Sequence, residues 1–281
     1  MADETTSSKG AVFVVTRLIS AFCAVVLLFV VVLSGNMIAL TAALVICSTL
    51  GVFELFKVFG FLDKPVLVVC SMLMAACVIL NQYINPTIIM AAFFVYVLIL
   101  VCHMLKFNGV FSFSDAATSA FGVVYVSVPL YMLLGLRCQD NGFWLLWIAL
   151  GGAWVTDSFA YFTGMLFGKH KLCPKISPKK TIEGSVGGTV FTVGIGLLFG
   201  YLVSKYAGVG VNYINLGVLS LICAIVSQLG DLTASTIKRE KGIKDFGNLM
   251  PGHGGFMDRF DSTLFVAPAV FIFNGIFTVF F

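Results

Sequence analysis

The chain has 281 residues, of which 59% are hydrophobic and only 11% charged, and its mean hydropathy is +1.04. No water-soluble fold of that length buries so much apolar surface, so soluble enzymes and soluble binding modules are excluded. The net charge of +4 is modest, and no nucleic-acid partner is expected.

Apolar runs long enough to cross a hydrocarbon core about 30 Å thick, each needing about 20 residues, recur along the whole sequence. Nine are predicted: Val12–Ser34, Met37–Phe56, Pro65–Leu80, Pro86–Leu105, Ala116–Leu136, Phe143–Phe167, Ser185–Ser204, Ile214–Thr236 and Ser262–Phe281. The fold class is an all-α polytopic membrane protein of about nine helices. The first run follows a short polar leader with no small-residue cleavage site, so it reads as a retained span. The third is short and the Asn81–Pro86 turn is tight, which leaves open two spans or one re-entrant element. Within these runs the first hundred residues carry a single acid, Glu54, read as an interfacial residue at the end of a helix.

Basic residues set the orientation, because cytoplasmic loops retain positive charge during insertion. With the N-terminus in the cytosol, fifteen of the 17 Lys and Arg face inward and only Arg137 and Lys205 face outward. The eight cysteines contain no CxxC pair, so the sequence indicates neither a disulfide framework nor a zinc site. Residues 1–110 read as an anchoring region, and residues 111–281 as a second region with cytosolic loops 168–184 and 237–261 and a polar groove facing the cytosol.

Asp157 and Asp231 lie within predicted spans, where a carboxylate costs about 2.5–3.5 kcal/mol at the centre on insertion scales, so each should face a cavity and have a task. Around Asp231, the residues Ser227, Gln228, Ser235, Lys238 and Arg239 recur at three or four positions and share its helix face. Trp154 and Tyr161 share the face of Asp157, and Gly164 and Gly168 permit close helix packing. In the loop that follows, Lys175, Ser177, Lys179, Lys180, Thr181 and Ser185 offer donors to phosphate oxygens just where a new helix begins. The last loop combines Lys244, His253, Gly254, Gly255, Asp258, Arg259 and Asp261. Cations, carboxylates and glycines in that density suit a metal-bound polyphosphate. Asp258 and Asp261, three apart, with Asp231 supply oxygen ligands for a hard divalent cation.

The segment Ser235–Asp261 resembles the signature of the CDP-diacylglycerol synthases, or phosphatidate cytidylyltransferases: Ser, two residues, Lys-Arg, four residues, Lys-Asp, then Pro-x-His-Gly-Gly and Asp-Arg-x-Asp. Met250, where the family usually has Leu, Ile or Phe, is a mild departure. Asp157-Ser-Phe-Ala-Tyr161, Ser177-Pro-Lys-Lys-Thr-x-Glu-Gly184 and Gln228-Leu-Gly-Asp231 are similar to the family's other motifs, in the family's order. The resemblance runs from about Trp154 onward. It implies the reaction of CTP with phosphatidic acid to give CDP-diacylglycerol and pyrophosphate, a magnesium ion, in some members a potassium ion beside it, and a homodimer in a cell membrane.

On that resemblance Asp231 and Asp258 are metal ligands, with Asp261 and Asp157 in support. Lys179, Lys180, Lys238, Arg239, Lys244 and Arg259 serve phosphates, His253 donates to a phosphate or protonates a leaving group, and Ser177, Thr181, Ser235, Gly254 and Gly255 contact substrate. The lipid phosphate is already an anion, so no catalytic base is called for. An ion-coupled transporter with Asp157 and Asp231 as carriers is the competing reading. A CDP-alcohol phosphotransferase is a weaker one, since its Asp-Gly-x-x-Ala-Arg run is missing.

Overall fold

A computed structural model describes residues 22–107, 109–249 and 254–281. Nearly all of it is helical: α1 (Phe22–Leu33), α2 (Met37–Val58), α3 (Pro65–Leu80), α4 (Pro86–Lys106), α5 (Phe113–Arg137), α6 (Gly142–Phe167), α7 (Ile182–Ala207), α8 (Tyr213–Glu240), the single turn α9 (Met257–Phe260) and α10 (Thr263–Ile276). Six of these, α2 and α4 to α8, are long and apolar enough to cross a membrane, and α1, α3 and α10 are shorter apolar helices. The chain is an integral membrane protein. At 16 residues α3 is about 24 Å long, under the thickness of a bilayer core. It is nonetheless a helix separate from α4, and the two pack against one another.

Helix starts follow local chemistry. Asn36, Asn85, Thr181 and Asn212 each cap a helix by accepting backbone N–H bonds, and Pro65 and Pro86 occupy first-turn positions where no N–H is needed.

Two compact units share the chain, divided within α5. The first holds the described residues up to Ser127 together with Ile243–Arg259; the second holds Val128–Gly242 and Phe260–Phe281. In the first, α3 packs between α2 and α4. Ser48 of α2 donates to Ser127 at 2.9 Å, and Ser71 of α3 bonds Tyr96 of α4 at 2.9 Å. In the second, α6, α7, α8 and α10 pack on one another. Glycines let α7 approach α6 closely: a Cβ at Gly184 would lie 2.6 Å from the Ala160 carbonyl and 3.1 Å from the Gly164 Cα.

Two features depart from an uninterrupted helical reading. Between α6 and α7 the chain forms a hairpin of β1 (Lys171–Cys173) and β2 (Ser177–Thr181), antiparallel with Lys171 opposite Thr181. Beyond α10 the chain is extended: Phe281 and Gly210 exchange both backbone bonds at 2.8 and 3.0 Å, and the Asn212 N–H donates to Val279.

Candidate active site

In the second unit α6, β2, α7 and α8 line an open cavity of about 270 Å³. Asp157, Tyr161, Lys179, Lys180, Thr181 and Asp231 are among its walls. Three elements bring these groups together. Asp231 comes from the polar face of α8, Asp157 from α6, and Lys180 from β2, where hairpin register turns it toward Asp231 to form an ion pair. The hairpin is what delivers this lysine, while Lys179 beside it is exposed to solvent.

Hydrogen bonds fix the frame. Ser185 donates to Gln228, whose amide donates in turn to Thr189 at 3.2 Å and to the Ala224 carbonyl at 3.1 Å, tying α7 to α8. Ser185, read from sequence as a phosphate donor, is engaged in this tie. Thr181 uses its hydroxyl oxygen to cap α7, accepting from the Gly184 N–H at 3.1 Å. Ser235 donates to Asp231 at 3.4 Å. Glu183, on α7's first turn, accepts from the His170 ring at 2.6 Å and from the backbone N–H groups of Lys169 and His170, closing the base of the hairpin. Arg239 donates through Nε to the Ile176 carbonyl at the hairpin turn, 3.3 Å away.

A third acid joins this unit where α10 begins. Ser262 donates to Asp157 at 2.8 Å, while Asp261 accepts from the Ser262 N–H at 2.8 Å and is 91% shielded from solvent. Burial, then the negative charges of Asp231 and Asp157, push the Asp261 carboxyl up to about 7, with Lys238 opposing them. Three carboxyls within electrostatic reach are thus balanced mainly by Lys180 and Lys238. That excess of hard oxygen donors fits a divalent cation such as magnesium. Among the described residues no three Asp, Glu, His or Cys side chains converge as a complete ligand set. Magnesium commonly takes one or two carboxylates and completes its shell with water and substrate phosphates.

Lys244, Gly254, Gly255, Asp258 and Arg259 belong to the first unit. Asp258, at the start of α9, accepts from the backbone N–H groups of Phe246 and Gly255 at 2.8 and 2.9 Å, so its carboxylate closes the loop on itself. Gly254 has φ +86°, a conformation that favours glycine. A Cβ on Gly255 would stand 2.4 Å from both Glu54 carboxylate oxygens. Lys244 and Arg259 are exposed. His253 lies outside the described residues. Ser177 stands at the start of β2, opposite Cys173.

Sequence reasoning missed Glu54. It is an interior group, 6% exposed, whose two oxygens accept from the Phe256 and Met257 N–H groups, each at 2.9 Å. A lone acid near the end of an otherwise apolar helix was the available signal.

Comparison with known proteins gives this arrangement a family. The model of the cytidylyltransferase family matches residues 15–277. A phosphatidate cytidylyltransferase of Bacillus subtilis (strain 168) is 36% identical over 183 residues, covering 65% of this chain and 66% of that protein. One from Staphylococcus aureus (strain COL) is 44% identical over 158 residues, covering 56% of this chain and 58% of that protein. The chain thus spans a little under two thirds of the length of the curated relatives it matches. Because the family match runs through both units and takes in α6, the hairpin, α8 and the loop held by Glu54, the chain belongs to the cytidylyltransferase family.

Proposed function

We propose that this protein joins CTP to phosphatidic acid, releasing pyrophosphate and forming CDP-diacylglycerol. The observation that carries the reading is the grouping of Asp157, Asp231 and Asp261 with Lys180 beside a cavity, in a chain whose relatives are named phosphatidate cytidylyltransferases. In the reaction a phosphate oxygen of the lipid forms a bond to the α-phosphorus of CTP, and the bond from that phosphorus to the oxygen that links it to the β-phosphorus breaks, that oxygen leaving with pyrophosphate. The nucleophile is already an anion, so no residue has to remove a proton.

What the protein must supply is placement and charge neutralisation. Lys179 and Lys180 on β2 stand where an incoming phosphate reaches the acidic cavity, and Lys180 moves from Asp231 to the substrate when the polyphosphate arrives. Lys238, Arg239, Lys244 and Arg259 supply the remaining positive charge. His253, set between glycines in the sequence, would donate to a phosphate or protonate the leaving group. Magnesium, held by Asp231, Asp258 and Asp261, with Asp157 steadying the site through Ser262, would neutralise the charge that develops on the phosphates. A monovalent cation beside it, a homodimer, a site that opens to the cytosol and a place in the bacterial plasma membrane complete the proposal.

The test is initial rate against magnesium concentration for Asp231→Asn, Asp258→Asn and Asp261→Asn. Asp231→Asn should lose about a hundredfold or more, with a raised magnesium requirement, because a transition state stabilised through the metal loses several kcal/mol with its ligand. Asp258→Asn should behave alike, and Asp261→Asn should lose less. An unchanged magnesium dependence for Asp258→Asn would confine that residue to its observed bonds with Phe246 and Gly255. A near-normal Asp231 variant would overturn the metal assignment.

A further inference from the structure

A second cavity, of about 630 Å³, opens in the first unit between the start of α3 and the last three turns of α4. None of its walls belongs to the acidic site; all lie between Asp63 and Val110. The lower wall is a single apolar stripe of α4, Val95, Leu98, Ile99 and Cys102, at helical spacing. α4 is the least buried of the six long helices, and Val95, Leu98 and Cys102 of this stripe are exposed on the surface of the chain.

The rim is cationic. Lys64 holds its Nζ 5.2 Å from the Phe111 ring centroid and 5.6 Å from that of Phe61, and Lys106 lies 5.4 Å from the Phe107 ring. These rings place the two ammonium groups without neutralising them, and among the described residues no carboxylate forms an ion pair with either. Asp63 is the one acid in the wall. His103 is in the same wall, its ring 4.5 Å from Phe107 and 5.0 Å from Phe111, and its Nε2 is buried without a hydrogen-bond partner. The first turn of α3 has no side-chain cap, which adds backbone N–H groups to the positive end.

An apolar stripe about 10 Å long ending in two lysines, a histidine and an uncapped helix start has the polarity of a phospholipid, with the phosphate at the rim and an acyl chain along α4. We propose that this cavity holds one anionic phospholipid as a bound component of the protein, apart from any lipid that reacts. The site needs only the membrane location of the chain and does not depend on the proposed reaction.

The test uses the purified full chain in detergent and a phosphatidylglycerol carrying a photoreactive group on one acyl chain. That lipid is a phosphodiester and has no terminal phosphate for cytidylyl transfer. After irradiation, label should map to residues 95–102, and unlabelled phosphatidylglycerol should compete while phosphatidylcholine and inorganic phosphate do not. The double variant Lys64→Gln/Lys106→Gln should lower labelling about tenfold or more. Leu98→Trp, which keeps the charges and fills the stripe, should also lower it, and both variants should elute as the parent does on gel filtration. Equal labelling by a phosphatidylcholine probe, or full labelling of the double glutamine variant, would reduce the cavity to a lipid-facing crevice. Displacement by inorganic phosphate would make it a site for free anions. Loss of transferase activity with labelling intact would leave this inference standing and count against the proposed reaction alone.

Discussion

Replacing Glu54 by Gln is the sharpest probe of how the loop before α9 is held. The carboxylate serves the Phe256 and Met257 N–H groups through separate oxygens at 2.9 Å, inside the protein where water cannot substitute. Glutamine keeps one acceptor but turns its own NH₂ toward the second amide, which then has no acceptor. A hydrogen bond to a charged group contributes about 1.5–3 kcal/mol, and leaving a buried donor unmet costs about 1–3 kcal/mol. The variant should therefore weaken the loop by about 2–3 kcal/mol, raising its opening about 30- to 150-fold at about 1.4 kcal/mol per decade. Hydrogen exchange of the peptide covering residues 254–260, read by mass spectrometry, measures this directly. The helices should keep their protection, because α2 contributes its other contacts unchanged. Exchange of the Phe256 and Met257 amides within about threefold of the parent would show that Asp258 alone orders the loop, and the reasoning from Glu54 would fail.

Gly255→Ala should be as damaging as Glu54→Gln, since its Cβ would meet both carboxylate oxygens at 2.4 Å, whereas Gly151→Ala, with nothing within 4 Å, should be neutral or stabilising by up to about 1 kcal/mol; thermal unfolding in detergent compares them. Asp261 has an ordinary value of 3.8 and titrates at about 7 in the folded chain, so the folded state binds that proton more tightly than the unfolded state. Metal-free stability should accordingly fall as pH rises from about 4 to about 7 and level off above, and Asp261→Asn should flatten that slope in melting curves recorded with EDTA. Lys180→Gln removes the partner of Asp231 and should cut cytidylyl transfer more than about tenfold, with Lys180→Arg restoring part; an unaffected Gln variant would leave the hairpin as a topogenic loop only. Single cysteines at Lys175 and Gly247, in a background without native cysteines, should react only with reagents that enter the cytosol, and labelling from outside sealed cells would invert the topology.

How much of this could be read from residues alone depended on the range of the interaction involved. Runs of apolar side chains specify helices locally, and the predicted run Pro65–Leu80 coincides with α3 at both ends. Asp231 and its polar neighbours were legible because helical spacing is a property of one segment. The hairpin was not, since Lys171–Cys173 is only three residues and Ser177–Thr181 has no apolar alternation to mark it as a strand. Its pairing, and with it the delivery of Lys180 to Asp231, depends on two segments meeting. Glu54 was opaque for the same reason at longer range: its partners are about two hundred residues away, and an acid near the end of a span reads alike whether it meets water or a buried backbone.

The extended tail bears on how the last apolar run matches its bilayer. At 14 residues α10 reaches about 21 Å, some 9 Å less than the hydrocarbon thickness. Residues 277–281 add about 16 Å of strand, and the combined reach is sufficient. Backbone inside lipid must find its partners within the protein, and Gly210, Asn212 and the Asn215 side chain provide them. Removing those five residues would therefore create a hydrophobic mismatch for α10 and, at the same stroke, strip the turn between α7 and α8 of the groups that satisfy it.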